Sequence, residues 1–156
     1  GDLDILLTFA FLPTLGTSYA VTGAIDWSVL WIALPVGLIT DGILHSNNTR
    51  DVITDKRAGI TTMAMGIGSK ASAWLYAFEI IFPYVWVCVC SIIGILPFTA
   101  FAVLLTLPIA MKCVKPMIHS LGKDSGVIAD LDMKTAQLQL AFSLLLTIAL
   151  VIGKFI

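Results

Sequence analysis

The residues best suited to chemistry stand in one run, Asn47-Asn48-Thr49-Arg50-Asp51-Val52-Ile53-Thr54-Asp55. If the run is helical, Asn47, Asp51 and Asp55 recur at i, i+4 and i+8, with Asn48 three and seven residues before the two aspartates. Those offsets put four oxygen-bearing side chains on one helical face. Two carboxylates one turn apart repel each other, so a cation between or beside them is expected. Carboxylate and amide oxygens without a His or Cys ligand suit Mg²⁺, which takes one or two carboxylates and is completed by waters and substrate phosphates. Arg50, Lys56 and Arg57 stand among the acids, and their guanidinium and ammonium groups bind phosphate oxygens well. The pattern therefore describes a diphosphate held through Mg²⁺. Asn47, Asn48, Asp51 and Asp55 are the expected metal ligands, Asp51 and Asp55 the catalytic pair, and Arg50, Lys56 and Arg57 the substrate-binding cations. A bare D-x-x-x-D pair commonly marks only a solvated helix face; the paired asparagines, the arginine and the position at the end of an apolar stretch favour chemistry here. Gly59 offers a helix stop just beyond the run.

The elements that must position this run are apolar. Of 156 residues, 58% are hydrophobic and only 12% are charged, about half the share of a soluble domain, roughly 25%. The mean hydropathy is +0.98, and lipid is the solvent that suits such a chain. Five stretches approach the ~20 helical residues needed to cross a bilayer: approximately 3–22, 27–44, 71–93, 96–118 and 135–152. They are continuously apolar rather than alternating, which predicts an all-α integral membrane protein and not a barrel. Pro13, Pro35, Pro83 and Pro108 fall inside them, as bilayer helices tolerate.

The connections differ in kind. Residues 23–26 and 94–95 are short and carry no basic residue, whereas 45–70 and 112–134 are long and polar. The first long connection holds Arg50, Lys56, Arg57 and Lys70, the second Lys112, Lys115, Lys123 and Lys134, leaving only Lys154 on the other side. This asymmetry predicts that both long loops, the site and the N-terminus face the cytoplasm. The chain opens Gly1-Asp2-Leu3-Asp4 without a basic segment, so no cleavable signal peptide is expected. The absent initiator methionine suggests a processed chain or a piece of a longer one.

Other polar residues within the spans are weighed one by one. Asp41 fits a substrate-side role and a structural hydrogen bond equally well, Glu79 a helix-pairing role, and His45 a bystander position at the interface. Trp74, Tyr76, Tyr84 and Trp86 read as interfacial anchors or packing. Asp124, Asp130 and Asp132 of the second long loop read as solvated charge, or more sharply as part of a lid over the site. Cys88, Cys90 and Cys113 form no C-x-x-C pair and read as inert thiols.

The motif Asn-Asn-x-Arg-Asp-x-x-x-Asp-x-x-x-Gly, running from Asn47 to Gly59, closely resembles the second aspartate-rich motif of the UbiA superfamily of membrane prenyltransferases. Its Asn-Asn-x-Arg-Asp form, with His45-Ser46 ahead of it and Ala58-Gly59-Ile60 behind, is similar to the branch that prenylates naphthoquinone precursors on the menaquinone (vitamin K2) pathway. The resemblance implies Mg²⁺-dependent transfer of a polyprenyl group from polyprenyl diphosphate to an aromatic acceptor, 1,4-dihydroxy-2-naphthoate in that branch. It also implies that the five spans are the C-terminal half of a bundle of about nine helices. The missing N-terminal half would carry a first, N-D-x-x-D motif, which this chain lacks. Bacterial members have Gly-Lys-x-Thr where this chain has Gly59-Ile60-Thr61-Thr62, so Lys56 or Arg57 must serve in place of that lysine. A bacterial or archaeal cytoplasmic membrane is expected rather than a eukaryotic endomembrane, with the lipid bilayer as surroundings and no nucleic-acid partner. Two other classes compete. A CDP-alcohol phosphotransferase also uses membrane aspartates and a divalent metal, but its D-G-x-x-A-R element is absent. A transporter half could bind a permeating cation at Asp51 and Asp55.

Overall fold

A computed structural model describes residues 2–121 and 125–156, without the side chains of Asp2, Leu3 and Ser125. Gly1 of the opening tripeptide, and Lys123 and Asp124 of the second polar connection, lie outside the described residues. The protein is an all-α membrane protein, and no strand occurs among the described residues. Four helical segments are long and apolar enough to cross a membrane: Trp27–Arg50, Met63–Ile92, Phe98–His119 and Gly126–Gly153. A shorter apolar helix, Leu6–Thr22, precedes them where the sequence suggests a fifth span.

Helix α1 occupies residues 2–22, with a π-helical stretch at Leu6–Phe11. The wider turn lies just ahead of Pro13, whose ring would otherwise press on a carbonyl one turn back. It ends at Gly23 in the left-handed region, φ 72°. A 3₁₀ turn, Trp27–Val29, follows; Asp26 caps it by accepting from the Ser28 amide at 2.9 Å. This leads into α2, Leu30–Arg50. The short α3, Val52–Arg57, continues the same path after a bend at Asp51. Helix α4, Met63–Ile92, is interrupted at Gly68, whose φ of 81° and ψ of 162° no helix contains. Helix α5 starts as a nine-residue 3₁₀ segment, Phe98–Thr106, and becomes α-helical over Leu107–His119. A 3₁₀ turn at Ser125–Ile128 precedes α6, Leu131–Gly153.

The expected polar connection 45–70 is therefore mostly helical. Residues 45–50 finish α2, Val52–Arg57 form α3, and α4 begins at Met63. The reason is burial. His45 and Ser46 are 0% and 1% exposed, so the polar end of α2 is packed against protein and keeps its helical hydrogen bonds.

Helix α2 packs against α1, α4 and α6, and α5 packs against α4 and α6. Tyr76, Ile80, Tyr84 and Val87 follow one face of α4 at helical spacing and are buried with Ile39 of α2 and Leu138, Phe142 and Leu146 of α6. Tyr84 meets Phe142 edge to face, with ring centroids 5.3 Å apart. In α5 the buried residues change period with the helix type. Ala100, Val103 and Thr106 repeat every three residues along the 3₁₀ segment, and Ala110, Cys113 and Met117 follow α-helical spacing. The opposite faces carry Phe98, Leu105, Ile92 and Leu140, all exposed, as lipid-facing positions do.

Buried hydroxyls join the helices. Thr135 donates to the Leu131 carbonyl at 2.7 Å, so Tyr76 Oη must donate to Thr135 Oγ1 at 2.6 Å. The same logic has Tyr84 donate to Thr106 at 2.7 Å, since Thr106 donates to the Val103 carbonyl. Two of the four aromatic residues read as anchors or packing are thus core members, Trp74 is exposed, and Trp86 stacks on Trp31 with centroids 5.2 Å apart.

Candidate functional site

The polar run sits where α2 passes into α3. The bend at Asp51 (φ −94°, ψ 10°) interrupts the helical ladder: the Asp51 amide closes α2 on the Asn47 carbonyl and the Asp55 amide opens α3 on the Asp51 carbonyl, each at 2.9 Å, and no helical hydrogen bond spans Asp51 itself. Asp51 stands one turn from Asn47 in α2 and one turn from Asp55 in α3, but the bend between the two helices means that the three do not share one unbroken helical face. The run stops in a Schellman motif: the Gly59 amide donates to the Lys56 carbonyl at 3.3 Å and the Ile60 amide to the Asp55 carbonyl at 2.9 Å. Gly59 takes φ 74°, the conformation this stop requires.

Arg50 is the hub of the site. Its Nε donates to Asp51 Oδ1 and its Nη2 to Asp51 Oδ2, both at 2.9 Å, a side-on fork. Nη2 also donates to Asn47 Oδ1 at 2.6 Å. Nη1 donates to the Ala129 carbonyl at 3.0 Å and lies 3.1 Å from Asp132 Oδ1. The stretch Ala129–Asp132 thereby contacts the end of α2. The Arg50 hydrogen bond holds the Asp51 carboxyl below its ordinary value of 3.8, against a smaller opposing effect of burial.

The remaining candidates are placed differently. Asn48 and Asp55 are half-buried, and Lys56 and Arg57 are exposed. Lys56 borders a cavity of about 370 Å³ with Val52, Gly59, Ile60, Thr61 and Met65, in the stretch that follows the motif. Asp51 and Asp55 do not line it. Among the described residues no group of three or more His, Cys, Asp or Glu side chains converges as a metal site. The chain offers instead two carboxylates and two amides, hard oxygen donors of the kind Mg²⁺ takes when substrate phosphates complete its shell. The donor set fits half of such a site.

Beneath the motif, a second polar cluster was assigned less weight by sequence than its burial warrants. His45 lies 0% exposed between α2 and α4, and its Nε2 is 3.0 Å from the Ser72 carbonyl and 2.8 Å from Ser72 Oγ. A carbonyl only accepts, so Nε2 carries a proton. Ser72 Oγ is 2.7 Å from Thr49 Oγ1, which donates to the His45 carbonyl at 2.8 Å. His45 Nδ1 faces Glu79 at 3.9 Å, and both Glu79 and Asp41 are buried. His45 is thus an interior residue and not an interfacial bystander. The cluster's i, i+4, i+8 spacing at Asp41, His45 and Thr49 was available in the sequence as a signal.

Cys90 and Cys113 are buried, Cys88 is half-buried, and all three are free thiols. Asp132 stands in the sequence only as solvated charge or part of a lid, and neither its pairing with Arg50 nor the Ala129 carbonyl follows from any spacing.

The family model described as "UbiA prenyltransferase family" matches residues 1–126. A fruit-fly protein, "UbiA prenyltransferase domain-containing protein 1 homolog" of Drosophila melanogaster, is 48% identical over 84 residues, covering 54% of this chain and 23% of the relative. The chicken "UbiA prenyltransferase domain-containing protein 1" is 35% identical over 146 residues, 92% of this chain and 41% of the relative. Its human counterpart is 34% identical over 156 residues, 98% of this chain and 43% of the relative. The chain thus spans about two fifths of the length of the chicken and human proteins. All three relatives are animal proteins, which lends no support to the expected bacterial or archaeal membrane. With a match over most of its length and the motif at the end of a candidate membrane-spanning helix, this chain belongs to the UbiA prenyltransferase family.

Proposed function

We propose that the protein containing this chain transfers a polyprenyl group from polyprenyl diphosphate to an aromatic acceptor, and that this chain supplies the C-terminal half of the active site. The observation that carries the reading is the pair Asp51 and Asp55, one helical turn apart at the end of a membrane-spanning helix, with Asp51 fixed side-on by Arg50. Asn47, Asn48, Asp51 and Asp55 are the residues that would hold Mg²⁺ against the diphosphate. The bound metal would neutralise charge that develops on the leaving group as the allylic C–O bond breaks.

The chain's own residues do the rest. Arg50 places a fixed positive charge beside the diphosphate, and Lys56 and Arg57, exposed one turn further on, are free to reach its oxygens. The apolar faces of the spans keep water from the allylic cation until a ring carbon of the acceptor attacks it and the ring sheds a proton. Resemblance to the naphthoquinone branch supports 1,4-dihydroxy-2-naphthoate as acceptor, in which case carbon dioxide leaves instead. The excess of Lys and Arg on the two polar connections supports a cytoplasmic site. An N-terminal half of the same protein, bearing the N-D-x-x-D motif, would complete the metal site.

The test is prenyl transfer by the full-length protein with Mg²⁺, labelled geranylgeranyl diphosphate and 1,4-dihydroxy-2-naphthoate. Asp51→Ala and Asp55→Ala should each lower turnover by at least about 10²-fold while melting in detergent stays close to wild type. Turnover that survives both substitutions removes these aspartates from the chemistry. A wild-type protein that binds Mg²⁺ and moves cations without consuming the diphosphate is a transporter instead.

A further inference from the structure

Arginine has five N–H donors. Four of those of Arg50 are placed in hydrogen bonds, to both Asp51 oxygens, to Asn47 and to the Ala129 carbonyl. The nitrogen that bears the fifth, Nη1, is 3.1 Å from Asp132 Oδ1. No donor is left over for a phosphate oxygen, so Arg50 acts in this arrangement on its neighbours. An ionised carboxylate has about four lone-pair sites. The fork occupies one on each Asp51 oxygen from a single side and leaves the opposite side open to a cation.

We infer that Asp132, at the start of α6, is a positioning residue for the metal–diphosphate site: it fixes Arg50, and Arg50 in turn aims Asp51 and Asn47. The inference rests on the function proposed above. Charge explains why a second acid belongs there. Arg50 paired with Asp51 alone would neutralise the carboxylate that the cation needs. Shared with Asp132, the single guanidinium leaves the cluster negative, and Asp55 adds to that. Geometry explains why the anchor comes from the second polar connection. Arg50 is the last residue of α2, and the Ala129–Asp132 stretch reaches its Nη1 from the far connection. Arg50 and Asp132 are 25% and 28% exposed, so an isolated pair would contribute little to stability; what it fixes is direction.

The experiment uses the full-length protein in detergent, with Asp132→Asn, Asp132→Glu, Arg50→Lys and the Arg50→Lys/Asp132→Asn double variant. Asp132→Asn should raise the Mg²⁺ concentration for half-maximal turnover, and KM for the prenyl diphosphate, by about tenfold. KM for the aromatic acceptor should stay as in wild type, and Asp132→Glu should recover most of the loss. The double variant should be no worse than Arg50→Lys alone, because Asp132 acts through Arg50. A second readout needs no turnover: the rise in melting temperature on adding Mg²⁺ with inorganic diphosphate should shrink in Asp132→Asn and in Arg50→Lys, without adding in the double variant. Additive losses, or an Asp132→Asn protein with wild-type Mg²⁺ dependence and melting shift, overturn the inference. A wild type that shows the melting shift and its non-additive loss but transfers no prenyl group overturns the proposed function and leaves the role of Asp132 standing. A wild type with neither the shift nor turnover overturns both.

Discussion

Two tyrosines on α4 carry much of the polar cohesion of the interior. Tyr76 and Tyr84 are 0% and 3% exposed, and each donates to a threonine on another helix whose own proton is already committed to a backbone carbonyl. Removing either hydroxyl leaves a buried oxygen without its donor but opens no large cavity. Tyr76→Phe and Tyr84→Phe should each cost about 1 kcal/mol, read as lowered thermal stability in detergent, with prenyl transfer otherwise retained. At this scale the sequence was informative where partners lie within one helix. Asn47 and Asp51 are one turn apart in α2, and Asp51 and Asp55 one turn apart in α3, while the bend at Asp51 interrupts the single face that the spacing suggests. It was silent where partners are remote. Asp132 meets Arg50 across more than half the chain, and no periodicity links them. His45 was underrated for the same reason, because its partner Ser72 belongs to another helix.

Among the helices, glycines decide how closely axes approach. A Cβ built on Gly37 of α2 would lie 2.6 Å from Ala10 Cβ and 2.6 Å from Leu6 Cδ1, whereas one built on Gly16 of α1 meets nothing within 4 Å. Ala10 has no rotamer by which to escape, so α1 itself must shift. Gly37→Ala should therefore destabilise the protein by about 1–3 kcal/mol. The same change at Gly16 should stabilise it by up to about 1 kcal/mol through helix propensity. Melting temperatures of the two variants, moving in opposite directions, check both. Gly59 poses a different question, since its φ of 74° is left-handed. Gly59→Ala should cost about 1–2 kcal/mol and fray the end of α3, seen as faster amide exchange over residues 55–60. Each apolar stretch lies on a helix, but the first is shorter than a span and α3 has no apolar stretch to announce it. The helix ends do not follow from the apolar stretches, because hydropathy falls at His45 and Lys70 while the backbone continues helical under burial at one place and after a break at Gly68 at the other. The 3₁₀ form of residues 98–106 left no mark in composition, and only the three-residue repeat of Ala100, Val103 and Thr106 agrees with it.

For the molecule as a whole, the proposed function makes the one aspartate motif on this run of helices half of a metal site. Reconstituted by itself, the chain should fold in detergent yet give no prenyl transfer above background. Co-expression with the remainder of the full-length protein should restore turnover to within about tenfold of the intact protein, by analogy with other split binding sites; radiolabelled product from the two separately tagged pieces is the measurement. A chain that turns over alone would mean that a second motif is not required. The long 3₁₀ stretch in α5 has a further bearing, on reach. Nine residues rise about 18 Å in a 3₁₀-helix but about 14 Å in an α-helix. Phe98–Thr106 therefore lends α5 several extra ångströms from the same number of residues. An α-helix of the same residues would be about 4 Å shorter, a difference of the size by which membranes differ in thickness.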